Sequence, residues 1–394
     1  MKVGVFSQIV LKTFLRRSVL FHPPVERIPA LVASFNCGQK MHSRMGYENK
    51  PDYYPAFDLL RISLALAVAI AHSGINVWYY TGDFAVQVFF ALSGWLIGGI
   101  LLRSAPADLP RFYFHRAARI WIPYAFAILL LVCVSLLKDR ITPKWFEFVF
   151  YDVAFVYNFF GPPQLRTAVA QMPLAGTGNH FWSICAEEQF YLVAPLLITI
   201  LAGVGRSIWF WCAVCAIALT CPWWNYFGSI SLGVLAAVVR THIGDWHSRR
   251  SAITVLTITA ATLFIATYTG LVAYRVGAPL TSITAILLLA QPGRLSRLLV
   301  FLGGISFPMY LNHWVGAFVI HAAFFRLGLP TSIYSQLLSV AFGLILSSAL
   351  YLCLDRVVRR HRDEYYTAQR GIAIAIWGAI SVAVGLAAGI WLLP

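Results

Sequence analysis

Apolar residues gather along the chain into long runs, separated by short polar segments rich in arginine. The runs lie near 57–75, 83–102, 118–137, 181–203, 207–222, 224–239, 252–274, 278–292, 298–325, 333–354 and 371–392. A bilayer core about 30 Å thick is crossed by about 20 helical residues, and backbone polar groups inside it are satisfied only by helices or closed barrels. The pattern therefore predicts an all-α polytopic integral membrane protein, with about 10–11 transmembrane helices around a central cavity.

Composition agrees. Hydrophobic residues make up 59% of the chain and charged ones 11%, against about a quarter charged in a typical soluble domain. The formal charge of +15 would raise the question of nucleic acid in a soluble protein, but its distribution argues otherwise. With the N-terminus on the cytoplasmic side, 23 of the 30 Lys and Arg residues fall in inside segments and 6 in outside ones, with Arg61 left within a span. Such a bias reports orientation in a membrane, so the partner read from it is a lipid bilayer and no nucleic acid is implied. Six of the seven cysteines lie in or at the ends of spans, and Cys212-x-x-Cys215 sits inside an apolar helix without a second pair. These read as packing residues. Residues 1–52 read as a cytoplasmic arm, apolar in patches and broken by Lys12, Arg16 and Arg17, with Met41 or Met45 as alternative starts. The remaining chain divides into 53–360 and a segment 361–394 that holds a linker and one extra span.

Two connections stand out. Residues 138–180 form a long outer segment with aromatic, proline and glycine patches; a connection of this length is usually functional, and it is placed to cap an outward-facing cavity. The inner connection "RSAPADLPRFYFHRAARIWIPY" mixes arginines with aromatics, which suits a membrane interface and equally a nucleotide phosphate beside a stacked base.

Ionisable residues at membrane depth are costly and mark functional sites by default. In "FDLLRISLALAVAIAHSG" (57–74), Arg61 and His72 are eleven residues apart, about 16 Å of rise and within about 20° of whole turns. They share one face at different depths, and Asp58 can pair with Arg61 on that face. Glu187, counted from the start of the fourth run, lies about 8 Å below the outer surface; His313, in "ISFPMYLNHW", also reaches the outer half. His72, Glu187 and His313 are thus expected at comparable depth. A lone intramembrane histidine is often a hydrogen-bond partner between helices, and "FFALSGWLIGGI", with Ser93 and Gly94, reads most simply as close packing, or as backbone making room for a ligand. A histidine that takes a proton from a hydroxyl, assisted by a carboxylate, is the general-base half of acyl or glycosyl transfer. No Walker, Rossmann, H-E-x-x-H or G-x-S-x-G pattern is present.

Five stretches, "FDLLRISLALAVAIAHSG", "FFALSGWLIGGILL", "FYFHRAARIWIPY", "FWSICAEEQFYLVAPLL" and "ISFPMYLNHW", resemble in this order the motifs of the membrane acyltransferase-3 family. That family includes O-antigen, exopolysaccharide and nodulation-factor O-acetyltransferases. The resemblance implies an acyl-CoA donor, by default acetyl-CoA, used from the cytoplasmic side of a bacterial inner membrane, and a saccharide or glycolipid acceptor at or beyond the outer face. No permanently bound cofactor or metal is implied. Residue by residue, it makes His72 the base and Glu187 its catalytic partner, with Asp58, Arg61, Arg116 and Arg119 on the donor side. Ser93, Trp182, Ser183, Tyr310 and His313 become supporting residues on the acceptor side. His115-Arg116 stands where the family more often has Arg-Arg, and the chain resembles the stand-alone type without an appended esterase-like domain. A covalent acyl-histidine stays open, as do two rivals. One is a saccharide or organic-anion transporter using the buried charges as a proton relay. The other is a haem protein with His72 and His313 as paired ligands.

Overall fold

The computed structural model describes residues 53–75, 77–221 and 226–392; the expected arm over 1–52 lies outside the described residues. Thirteen helices of ten or more residues carry the architecture, and there is no strand among the described residues. They are α1 (Pro55–His72), α2 (Thr81–Leu101), α3 (Leu109–Lys138), α4 (Pro143–Val153), α5 (Trp182–Pro195), α6 (Ile208–Thr220) and α7 (Gly228–Ile243). They continue with α8 (Arg250–Tyr268), α9 (Tyr274–Leu289), α10 (Arg297–Arg326), α11 (Ile333–Leu350), α12 (Arg356–Tyr365) and α13 (Ala368–Leu392).

Among the described residues, eight helical segments are long and apolar enough to cross a bilayer, and α6, α7 and α9 are shorter apolar helices. Each coincides with one of the eleven runs. The chain is an all-α polytopic membrane protein. The 13 residues of α6 rise only about 20 Å, less than a bilayer core. Apolar side chains of α8 such as Val255, Ile258 and Ile265 are 59–62% exposed, the surface expected against lipid rather than water.

The third helix extends well before its apolar run. Helix α3 begins at Leu109 with proline in its first turn, a position that suits the missing N–H. Arg111, His115, Arg116 and Arg119 are therefore helical residues and not a loop. Hydropathy marks only the lipid-buried part of a helix, and arginine stems extend a helix beyond that part without breaking it.

Five helices, α1, α2, α3, α5 and α10, surround the interior. Helix α1 packs between α10 and α2; α2 packs on α7 and α9, α10 on α11, and α13 on α3. Without much hydrophobic gain between helices in lipid, close approach depends on small residues. Between α2 and α7 two glycines meet: a Cβ on Gly94 would lie 2.0 Å from the Ile230 carbonyl oxygen, and one on Gly233 2.3 Å from that of Ala91. The packing reading of Gly94 is the observed one.

The segment between α3 and α5 contains α4, whose Thr142 caps the helix by accepting from the Trp145 N–H at 3.2 Å. It then passes through short turns to a 3₁₀ stretch, Pro173–Phe181. Leu174, Ala175 and Gly176 take left-handed backbone conformations there, costly for the two non-glycine residues. The Leu174 N–H is held by the Asp139 carboxylate at 2.6 Å. This reversal precedes Thr177, Asn179 and His180, which line a cavity.

Gly94→Leu or Gly233→Leu should force α2 and α7 apart and destabilise the protein by about 2 kcal/mol or more, read as a lower thermal midpoint in detergent. Gly203→Leu, at a site with nothing within 4 Å, should leave the midpoint unchanged.

Candidate active site

Among the described residues, one cavity lined by arginines and another lined by histidines stand out. The first, about 210 Å³, lies among the five central helices and is lined by Arg61, Ser93, Arg116, Arg119, Ser183, Glu187, Tyr191 and Tyr310 together with apolar residues. Arg61 donates to Asp58 at 2.9 Å, the pairing that the three-residue spacing allows. Asp58 fits because it lies against Gly303, where any Cβ would approach its Oδ1 to 2.3 Å. Glu187 accepts from the Ser93 hydroxyl at 2.6 Å, and Tyr191 donates to Ser93 at 3.2 Å. The Arg116 guanidinium lies 4.6 Å from the centre of the Tyr191 ring.

An adjoining cavity of about 350 Å³ shares Ile100, Arg116 and Arg119 with the first and adds Asp108, Arg111, His115 and Arg362. Across it, Asp363 of α12 is held by Arg111 at 2.8 Å and His115 at 3.0 Å. His115 is thus a partner of the C-terminal segment. Arg116 and Arg119 stand in the wall of both spaces. Several guanidiniums, each able to meet a phosphate bidentately, suit a polyanionic ligand.

The second cavity, about 840 Å³, opens at the other end of the bundle and is lined by His72, His180 and His313, with Trp314, Phe318, Lys138 and Arg326 among its further residues. The segment 138–180 contributes Leu165, Gly176, Thr177 and Asn179 to its wall. His72 is exposed to this space, whereas His180 and His313 are 5% and 6% exposed.

The hydrogen bonds here fix a tautomer. His313 Nδ1 lies 2.9 Å from the Tyr310 carbonyl oxygen, an acceptor only, so Nδ1 carries the proton and Nε2 of a neutral ring carries the lone pair. His72 Nδ1 lies 2.8 Å from that Nε2 and must donate to it. His72 Nε2 is then left with a free lone pair. The opposite assignment would set the His313 Nδ1 lone pair against a carbonyl. Two nitrogens 2.8 Å apart share one proton. His180 places both ring nitrogens 3.2 Å from carbonyl oxygens, those of Thr177 and Leu311, one acceptor more than a neutral ring can serve.

Between the cavities runs a polar layer. Tyr310 donates to the His180 carbonyl at 2.7 Å, and the Ser183 and Tyr310 hydroxyls are 2.6 Å apart. Ser183 and Tyr310 line the first cavity, while His180 and His313 line the second.

The expected residues therefore divide. Asp58, Arg61, Ser93, Arg116, Arg119, Ser183, Glu187 and Tyr310 gather at or beside the first cavity; His72 and His313 meet at the second. The expectation of one common depth for His72, Glu187 and His313 fails for Glu187, which bonds Ser93 instead. Helix α5 starts at Trp182, where its apolar run begins; it is His72 and His313 that lie elsewhere, beside His180 and ahead of that helix. Glu187 is seven residues beyond His180, about 10 Å along a helix. Trp182 reaches neither cavity; it packs edge-on against Phe90 and tilted against Tyr226. Two residues went unnoticed in the sequence. Tyr191 follows Glu187 by one helical turn, a spacing that placed it on the same face; His180 precedes α5 in a 3₁₀ stretch whose facing no helical periodicity gives.

The proteins similar to parts of the chain include three O-acetyltransferases, one of them putative. The O-acetyltransferase OatA of Staphylococcus aureus is 32% identical over 161 residues, 38% of this chain and 26% of that protein. The peptidoglycan O-acetyltransferase OatA of Listeria monocytogenes is 27% identical over 210 residues, 45% of this chain and 31% of that one. A putative peptidoglycan O-acetyltransferase, YrhL of Bacillus subtilis, is 26% identical over 173 residues, 39% and 25% of the two chains. The matched region thus spans between a quarter and a third of these relatives. No solved structure matches. The family match, described as an acyltransferase domain, runs over residues 54–353 and includes all the residues of both cavities except Arg362 of the adjoining space; the chain belongs to the acyltransferase-3 family.

Proposed function

We propose that this protein is a membrane O-acetyltransferase that moves an acetyl group from acetyl-CoA to a hydroxyl of a saccharide, peptidoglycan being the acceptor class named for the relatives. The observation that carries the reading is the pair of cavities, one lined by arginines and the other by a histidine whose Nε2 is free, meeting at the Ser183–Tyr310 layer. The positive-inside bias of the sequence supports an arginine end on the cytoplasmic side. The saccharide approaches from the opposite face, and the membrane is the bacterial inner one.

In this reading, the donor's phosphates rest among Arg111, Arg116, Arg119 and Arg362, and its arm runs past Arg61 and Glu187. Glu187, steadied by Ser93, offsets the arginine charge and accepts from the arm's amide N–H groups. The thioester reaches the Ser183–Tyr310 layer, where Phe89, edge-on to Tyr310 with centroids 6.2 Å apart, shifts to admit it. His72 Nε2 takes the acceptor's proton as the hydroxyl oxygen attacks the thioester carbonyl. The C–S bond breaks, and the departing sulfur takes the proton from the imidazolium. His313 acts as a positioning residue: it holds the His72 Nδ1–H and so keeps Nε2 available, the role an orienting group plays for any general-base histidine.

In detergent or proteoliposomes, His72→Ala should lower acetyl transfer by about 10²–10⁴-fold, with the protein still monodisperse. Unchanged transfer would contradict the mechanism, and movement of a saccharide without acetyl-CoA would favour a transporter. Arg116→Ala with Arg119→Ala should chiefly raise KM for acetyl-CoA. For His313, the ¹⁵N spectrum of the His72 ring should show the Nδ1–H form in the wild type and a mixture of both forms in His313→Ala. His313→Gln, whose amide oxygen accepts as Nε2 does, should keep the wild-type form and much of the activity.

A further inference from the structure

The wide cavity is one-sided in charge. Lys138, from the last turn of α3, and Arg326, from the last turn of α10, both line it, and no Asp or Glu does among the described residues. The acid next in sequence, Asp139, is engaged elsewhere: it accepts from the Ser135 hydroxyl and from the Leu174 N–H. Among the described residues neither Lys138 nor Arg326 forms an ion pair. The Lys138 ammonium instead rests 4.8 Å from the centre of the Phe318 ring, in the cavity wall.

A cation in the last turn is favourable for any helix, and that accounts for one such residue per helix. It does not account for two helix ends converging on one cavity that has no compensating acid. Uncompensated cations beside low-dielectric walls concentrate potential and draw anions. The cavity volume of about 840 Å³ is at the upper end of what ligand sites occupy, and the Phe318 and Trp314 rings offer faces for sugar rings.

We propose that the acceptor is an acidic oligosaccharide, bearing carboxylate or phosphate groups that Lys138 and Arg326 bind. The proposal rests on the O-acetyltransferase reading and adds the acceptor's chemical class. Arg326 follows His313 by 13 residues on the same helix, about 20 Å of rise, more than an arginine side chain spans. An acid group held by Arg326 therefore sits on a different sugar unit from the hydroxyl that His72 serves, and the acceptor is longer than a single ring. Because Arg326 is remote from the reacting atoms, it binds ground state and transition state alike and acts on KM rather than kcat; Lys138, on Phe318, holds the chain between them.

The test uses the full-length protein in proteoliposomes with [¹⁴C]acetyl-CoA, and glycans from a strain lacking this gene, separated by anion exchange into acidic and neutral fractions. Label is expected in the acidic fraction. Its loss after methyl esterification identifies carboxylates, and its loss after hydrofluoric acid treatment identifies phosphodiesters. Lys138→Met combined with Arg326→Met should raise KM for the acidic fraction about tenfold with kcat retained, in a variant that elutes like the wild type. Equal labelling of the neutral fraction, or an unchanged KM in the double variant, overturns the proposal while leaving the transferase reading intact. Label in neither fraction overturns both.

Discussion

A polar side chain inside a bilayer must find a partner, because hydrocarbon offers none and each unmatched charge costs several kcal/mol. The central helices of this protein are placed to meet that requirement. Arg61 is matched by Asp58, Glu187 by Ser93, Ser183 by Tyr310, and His72 by His313. Every pair except the first joins two different helices or the segment leading into one. The same contacts that make the polar groups tolerable therefore fix how α1, α2, α5 and α10 stand to one another. Glycines let the backbones approach closely enough for these short bonds to form, as Gly303 does for Asp58 and Gly94 for Gly233.

Further charged and basic groups line the cavities. Arg116 and Arg119 line the narrow space, and the free Nε2 of His72 faces the wide one. In the proposed reaction this separation lets a charged donor stay at one end while only its uncharged thioester travels inward. A general base supplies about 10²–10⁴-fold, and holding both reactants at one narrow layer supplies much of the rest through orientation. The hydrogen bond from His72 to His313 needs no rearrangement when His72 accepts a proton, since the Nδ1–H already points at an acceptor.

Much of this was legible in the sequence. The eleven runs gave the helices, because burial in lipid demands a length and an apolarity that nothing else in the chain imitates. Asp58 and Arg61 were paired by spacing alone, and Arg61 and His72 were placed on one face at different depths, where they now line different cavities. Helix starts were less legible where arginines precede the apolar residues, as at Leu109, and the level of His72 and His313, beside His180 ahead of α5, was set by packing. His180 was hidden by a 3₁₀ stretch held by a contact from Leu174 to Asp139, 35 residues away, which no local pattern contains. The partner of His72 depended on the crossing of α1 and α10, and that is set by packing.

The claim at the centre of the account is that donor and acceptor work from opposite faces of one membrane. Vesicles with the protein in a single orientation, its arginine end facing the lumen, would be loaded with [¹⁴C]acetyl-CoA and given the acceptor glycan only outside. The account predicts that label appears on the external glycan, and that moving unlabelled acetyl-CoA to the outside does not compete. Label that appears only when donor and acceptor share one compartment would contradict it.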